Sequence, residues 1–215
     1  MMKNGRVVKI CGRYTVLTED EIIEVRQVIQ EISMRLVKDD FENYSQKAGE
    51  IRPTDHSPVI IMQNDGILFE NLKWGFKKWK GSGVIINARA ETASEKGMFR
   101  KPLLERRCVV PSNGYYEWGR TSGRKKKDKY LLLPPGERIA CMAGMMNVFR
   151  DAAGGEYGAF VILTTAASST VGKIHDRMPV ILAPEEHDLW ISDAGFMEHV
   201  LHRPGPEMVA ELVQA

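Results

Sequence analysis

Short apolar runs, each cut off by turn residues after a handful of positions, constrain this chain more than any other feature. Val59 to Gln63 and Ile67 to Lys73 flank Asn64-Asp65-Gly66, a β-hairpin signal because Asn and Gly accept the left-handed backbone that a tight turn needs. Val84-Ile85-Ile86, Cys108-Val109-Val110, Phe160 to Thr165 and Pro179 to Leu182 repeat the pattern. So do Lys129 to Leu133 and Ile139 to Met146 across Pro134-Pro135-Gly136, giving roughly eight strands. Helical spacing is rarer. The capping box Thr18-Glu19-Asp20-Glu21, followed by Ile22, Val25, Ile29, Ile32 and Leu36, predicts a helix over Glu19 to Val37. Thr92-x-x-Glu95 predicts a second helix toward Arg106, interrupted at Pro102, and Pro184 and Pro206 predict two short C-terminal helices. Strands that outnumber helices without alternating with them argue against a doubly wound parallel sheet. The expected fold is α+β: one domain with a mixed, mostly antiparallel, barrel-like sheet and flanking helices.

The 215 residues are 43% hydrophobic and 27% charged, which suits one domain with its own core. No repeat or proline-rich linker divides them. A formal charge of +2 is too small to signal nucleic-acid binding by itself, so any such claim rests on local clusters. The three cysteines, Cys11, Cys108 and Cys141, are widely spaced and without a CxxC pair, against both a disulfide framework and a structural zinc site. That usage fits a reducing cytoplasm. Lys3, Arg6 and Lys9 precede no apolar run long enough for a signal peptide, and no membrane-spanning stretch occurs.

Cys11 is the residue with the most chemistry to offer. As the first residue of a mature chain it would carry a thiol and a free α-amine on adjacent carbons, a pair that condenses with an aldehyde. Residues 1–10 stand in front of it. Glu117 sits among Tyr115, Tyr116 and Trp118 at the end of an apolar strand, where apolar surroundings would keep a carboxylic acid partly protonated near neutral pH; the alternative is a strand-edge glutamate with its charge in solvent. His175 precedes Asp176-Arg177-Met178-Pro179 on a loop entering the sheet, where it could exchange protons near pH 7 or serve only as structure. His187, His199 and His202 read as helix-surface or tail residues.

Asn87 and Arg89 share one strand face, suited to an anionic, oxygen-rich ligand; the commoner reading is a buried Asn and an Arg paired with Glu91. Arg13, Arg89 and Arg177 with Trp74, Trp79 and Trp118 supply the ingredients of a single-strand groove, cations for phosphates and rings for bases. The run Arg124-Lys125-Lys126-Lys127-Asp128-Lys129 reads as a solvated hairpin tip.

Five blocks, in order, resemble the SOS response-associated peptidase family of abasic site processing proteins. They are Cys11-Gly12-Arg13-Tyr14; Trp74-Gly75-Phe76; Asn87-Ala88-Arg89-Ala90-Glu91-Thr92; Arg107-Cys108-Val109-Val110-Pro111 with Gly114-Tyr115-Tyr116-Glu117-Trp118; and His175-Asp176-Arg177-Met178-Pro179-Val180-Ile181-Leu182. The resemblance implies a single α+β domain that binds single-stranded DNA and captures abasic sites as a thiazolidine; the expectation alongside it is a monomer without cofactor or metal, cytoplasmic and nucleoid-associated when bound to DNA. By that resemblance Cys11 matches the nucleophile, Asn87 and Glu117 the residues that orient and protonate the reacting groups, and His175 the proton-transfer residue. Arg13, Arg89, Arg177 and Trp118 fall where the family contacts DNA. AP-lyase activity through a Schiff base is a second implied mode.

The family's cysteine usually follows the initiator Met, whereas Ile10 precedes Cys11 here. Self-cleavage at Ile10-Cys11, a different start and an unprocessed form are the three explanations, and the first matches the family's peptidase step. The expected division is therefore a leader over residues 1–10 and a domain over 11–215. Two other readings stay open: a non-covalent single-strand binding module in which Cys11 is structural, and a cysteine peptidase acting in trans through Cys11, His175 and Glu117.

Overall fold

The computed structural model describes residues 12–15, 49–64, 66–119, 127–136 and 139–214. Cys11, the helix expected over Glu19 to Val37 and the first half of the basic run, Arg124 to Lys126, lie outside them. In chain order, β1 (Arg13–Thr15) and β2 (Glu50–Ile51) precede a long hairpin of β3 (His56–Gln63) and β4 (Gly66–Trp74). A short ribbon of β5 (Phe76–Lys77) and β6 (Val84–Ile85) leads to β7 (Asn87–Arg89) and the helices α1 (Ala90–Ala93) and α2 (Gly97–Glu105). Then come β8 (Arg107–Ser112), β9 (Tyr115–Gly119), β10 (Asp128–Leu133) and a second long hairpin, β11 (Ala140–Arg150) and β12 (Glu156–Ala166). The chain ends with α3 (Ser169–Gly172), β13 (Arg177–Pro179), β14 (Ile181–Leu182), α4 (His187–Ser192), α5 (Ala194–His202) and β15 (Val209–Gln214).

Five of these strands close a mixed barrel in the order β12-β4-β3-β8-β11, with β11 returning to β12. Every neighbour is antiparallel except β12 and β4, which run parallel with Phe160 opposite Trp74. Beyond that seam β12 continues, pairing Ile162 to Thr164 with β7 and Thr164 to Ala166 with β13. A second sheet, β15-β10-β9-β1-β2, packs beside the barrel. The expected α+β class with a curled, mostly antiparallel sheet is what forms.

Because side chains alternate along a strand, each barrel strand supplies two apolar clusters. Ile60, Val109, Val161 and Leu163 join Phe99, Leu103, Trp190 and Val200 of the helices. Val59, Val110, Phe160 and Ile162 join Tyr14, Tyr115 and Leu132 of the second sheet. Gly75, at φ +122, is the switch that sends Trp74 into one cluster and Phe76 into the other; a Cβ there would come within 2.7 Å of Val84.

Arg107 ties the helical side together. Its guanidinium, almost fully buried, donates to the Leu103 and Leu104 carbonyls of α2 at 3.0 and 2.9 Å, and to Trp190 and Ile191 of α4 at 2.5 and 3.0 Å. These carbonyls lie in the last turns of both helices, where no intrahelical donor remains and where a cation opposes the negative end of the dipole.

Three local expectations are corrected. Pro102 does not interrupt its helix: α2 runs through it and buries it. Thr92-x-x-Glu95 caps nothing, since α2 begins after Lys96 with no side-chain cap. Pro206 does not start a helix; the segment after it is β15, an added edge on β10. Among the described residues no helix is long and apolar enough to cross a membrane.

Candidate functional site

Asn87, Glu117 and His175 stand on three different elements, and each lies near a residue of one buried apolar cluster. Ile86, immediately before Asn87, Tyr115, two residues before Glu117, and Val171, whose carbonyl holds the His175 backbone at 2.9 Å, belong to the same buried cluster as Tyr14, Trp74 and Met178. On β9 the strand period turns Tyr115, Glu117 and Gly119 inward and Tyr116 and Trp118 toward the surface. Gly114, at φ +146, sets up that register; a Cβ there would lie 2.6 Å from the Leu132 carbonyl. Glu117 is only 4% exposed, and its Oε1 accepts from the Trp118 amide at 3.2 Å. At the far end of β9, Gly119 lies so close to Ile174 that a Cβ would approach it to 3.0 Å, so β9 abuts the residue just before His175.

His175 has its side chain 7% exposed. Its Nδ1 accepts the Arg177 amide at 3.0 Å, which requires a lone pair there and places the proton of a neutral ring on Nε2. The Asp176 carboxylate, also 3.0 Å from Nδ1, would become an ion-pair partner only on protonation of the ring. Asn87 is half-buried on β7 opposite Ile162, with its carbonyl neighbour Ala88 accepting from Thr164 Oγ1 at 3.3 Å.

The outer face of the second sheet carries a compact set of rings and cations. The Arg13 guanidinium sits 5.1 Å from the centroid of Trp118, and Lys129 Nζ lies 3.7 Å from that of Tyr116 and 5.8 Å from that of Trp118. Glu50 joins both cations, at 2.7 Å to Arg13 and 2.5 Å to Lys129. Burial works to raise its pKa, but the bonds to Lys129 and Arg13 prevail and hold its carboxyl below the usual range.

The remaining expected contacts divide. Arg89 is exposed on β7 and is not Glu91's principal partner. Arg177 takes that place, its guanidinium forked onto both Glu91 oxygens and donating to the Thr164 carbonyl at 2.5 Å. Arg177 hydrogen bonding keeps the Glu91 carboxyl below its ordinary pKa, against the effect of burial. Trp74 is a correction: it is fully buried, donates its indole N–H to the Ile86 carbonyl at 3.0 Å and meets Tyr14 edge-on at 5.0 Å, so it offers no face to a base. Trp79, 91% exposed, belongs to the β5–β6 connection and lines a cavity with Lys78, Met98, Lys101 and Phe149, toward the Arg150 end of the β11–β12 hairpin. His187 is also corrected: it is buried, and desolvation pushes its pKa down to about 4.

Lys129 and Glu50 escaped sequence reading because their pairing spans 79 residues; Tyr116 was findable, since it shares the period-two face of Trp118. Among the described residues no three of His, Cys, Asp and Glu cluster closely enough to hold a metal ion.

Comparison with known proteins agrees with the fold and with the family resemblance. The family model described as SOS response associated peptidase matches residues 10–213. The chain is 32% identical over 189 residues to the abasic site processing protein YoqW of Bacillus subtilis, covering 85% of this chain and 80% of that protein. It is 35% identical over 135 residues to the abasic site processing protein YedK of Escherichia coli, covering 62% and 59%. A crystal structure of a Bacteroides thetaiotaomicron protein superposes with a TM-score of 0.74 at 26% identity, over 95% of this chain and 92% of that one. A family match over nearly the whole length, with a relative 32% identical over 85% of the chain, has one reading: the chain belongs to the SOS response associated peptidase family.

Proposed function

We propose that this chain processes abasic sites in single-stranded DNA by joining an N-terminal Cys11 to the opened sugar. What supports the reading is that Glu117, Asn87 and His175 each lie beside a residue of one buried cluster, with Trp118, Tyr116, Arg13 and Lys129 half-buried on the other face of β9's sheet, in a chain whose relatives are named abasic site processing proteins. Residues 1–10 are a leader, and hydrolysis of the Ile10-Cys11 bond frees the Cys11 amine. The family match starting at residue 10 supports that boundary. Arg13 faces Tyr116, so β1 begins at the Glu117–Trp118 end of β9.

An α-amine titrates near about 7.7 to 8.0 and a thiol near about 8.5, so both have usable free-base fractions at cellular pH. The amine adds to the sugar aldehyde, and the carbinolamine loses water to an iminium as Glu117 donates a proton to the departing hydroxyl. The Cys11 thiolate then adds to the same carbon and closes a thiazolidine, with one water released overall. Asn87 orients the sugar, and His175 carries protons through its Nε2. From the same iminium, removal of the C2′ proton and departure of the 3′ phosphate would give strand cleavage.

The outer face supplies the DNA path. Trp118 and Tyr116 stack on bases, and Arg13 and Arg89 track phosphates. Arg177 reaches a phosphate by exchanging it for Glu91, both being forked acceptors of the same shape. Trp79 extends the path over the β5–β6 connection.

An oligonucleotide with one abasic site tests the reading. Protein whose intact mass shows Cys11 first should give a denaturant-resistant, slow-migrating band, and Cys11→Ala should bind the DNA without one. Absence of the band from protein verified to begin at Cys11 overturns the proposal.

A further inference from the structure

We infer that Glu207 is a positioning residue for His175, holding the short helix from which the imidazole hangs; this rests on the role proposed above for His175. Glu207 comes from the C-terminal segment, far from the helix in sequence. Its Oε1 accepts from the Ser169 amide at 3.1 Å and the Ser169 hydroxyl at 2.7 Å, and its Oε2 accepts from the Thr170 amide at 3.0 Å. Those amides open α3, where the first N–H groups lack intrahelical partners. The local candidate does not serve them: Ser168, at the N-cap position, makes no side-chain bond to the helix. A carboxylate from 37 and 38 residues downstream does the work that a neighbouring serine usually does.

The reach of that contact extends to the site. A helix of four residues cannot sustain itself, because nucleation costs more than its one or two internal bonds return. The structure therefore depends on tertiary anchors. Val171 is buried in the site's floor, and its carbonyl takes the Ile174 amide at 2.8 Å and the His175 amide at 2.9 Å. The imidazole then hangs between that bond and the Arg177 amide on Nδ1. A shift of α3 thus carries the whole turn with it.

Glu207 is itself fixed from both sides. Gly205 lies hard against Met178, where a Cβ would fall 2.4 Å from the sulfur, and Met208 is buried beside Val171 in the same cluster. One residue later β15 begins, pairing Val209 with Leu133 of β10, whose Tyr130 lies opposite Glu117. Glu207 links the sheet that bears Glu117 to the turn that bears His175, and so sets the spacing between the proposed acid and the proposed proton carrier. The amide and hydroxyl bonds pull the carboxyl pKa down to about 2, with the Ser169 bond the largest cause, so the anchor stays ionised throughout the neutral range.

Processed full-length protein is compared as wild type, Glu207→Ala and Glu207→Gln. The Ala variant should form the covalent adduct with an abasic oligonucleotide about tenfold more slowly, the scale expected when a reacting group loses its orientation. Its affinity for the undamaged oligonucleotide should stay within about twofold, and Gln, which keeps one accepting oxygen, should lose less rate than Ala. The readout that a purely structural anchor would leave unchanged is the ring-nitrogen NMR signature of His175 in DNA-free protein, which should move from the Nε2–H tautomer toward mixed tautomers in Glu207→Ala. An unchanged His175 signature overturns the inference, whether or not the rate falls. If wild type forms no adduct while the His175 signature moves, the covalent function fails and the positioning role stands.

Discussion

Replacing Arg107 by Met removes a guanidinium that closes two helices at once while leaving a chain of similar length in the core. Four carbonyls lose their donor, those of Leu103, Trp190 and Ile191 buried and that of Leu104 partly so. An unsatisfied buried carbonyl costs about 1 to 3 kcal/mol, so the low end alone gives roughly 4 kcal/mol for the set. Relief from burying a charge acts the other way: burial already pulls the Arg107 pKa down, and Asp193 only partly offsets it. The unsatisfied carbonyls outweigh that relief, and about 3 to 5 kcal/mol is the expected loss. For a chain of this size about 2 to 4 °C of Tm follows each kcal/mol, so calorimetry should show a fall of roughly 6 to 20 °C, with urea unfolding giving the free energy directly. Arg107→Lys should lose about half as much, since three donors on one nitrogen cannot span carbonyls from two helices. A Met variant within about 0.5 kcal/mol of wild type would show instead that apolar packing replaces this buried charge at no net cost.

Two further outcomes separate residues that look alike in sequence. Trp118→Ala should weaken binding of undamaged single-stranded DNA by about 1 to 3 kcal/mol in fluorescence anisotropy with little change in Tm, whereas Trp74→Ala should destabilise the fold by about 3 to 5 kcal/mol; equal effects of the two on binding at matched folded fraction would contradict the burial difference. For His187, folding lowers the pKa from 6.5 to about 4, so the unfolded chain binds the extra proton between those values and stability falls as pH drops through that window. Urea unfolding at pH 7 and pH 5 should show wild type losing about 2 kcal/mol more than His187→Leu, and equal losses would remove His187 from the account of acid sensitivity.

The fold was largely readable because its strands announce themselves locally. Asn64, at φ 49, turns the β3–β4 hairpin where the Asn-Asp-Gly signal lies, and the strand runs around Val84, Cys108 and Phe160 form where their apolar residues cluster. Closure was not readable. Trp74 and Trp118 both end apolar strands, and what separates them is the parallel seam with β12 that covers one and leaves the other at the surface. Such a seam joins Trp74 to Phe160 across a long stretch of chain, and periodicity carries no information about it. The same limit applies to the site's ion pairs. Arg89 and Glu91 invited a local pairing, but Arg177 arrives from 86 residues away with better geometry. The C-terminal strand was misread because Pro206 suggests a helix start, while β15 draws its order from the neighbouring edge of β10. His187 sits in a sequence that looks amphipathic and polar, and tertiary packing of α4, on β8 among others, buries it.

β12 has a consequence beyond architecture. It closes the barrel through β4 and β11, and in the same run it carries β7 with Asn87 and β13 with Arg177. Asn87 and Arg177 therefore have no hinge between them: separating the two means unzipping the strand that seals the barrel. Opening between β7 and β13 then draws on the stability of the whole domain.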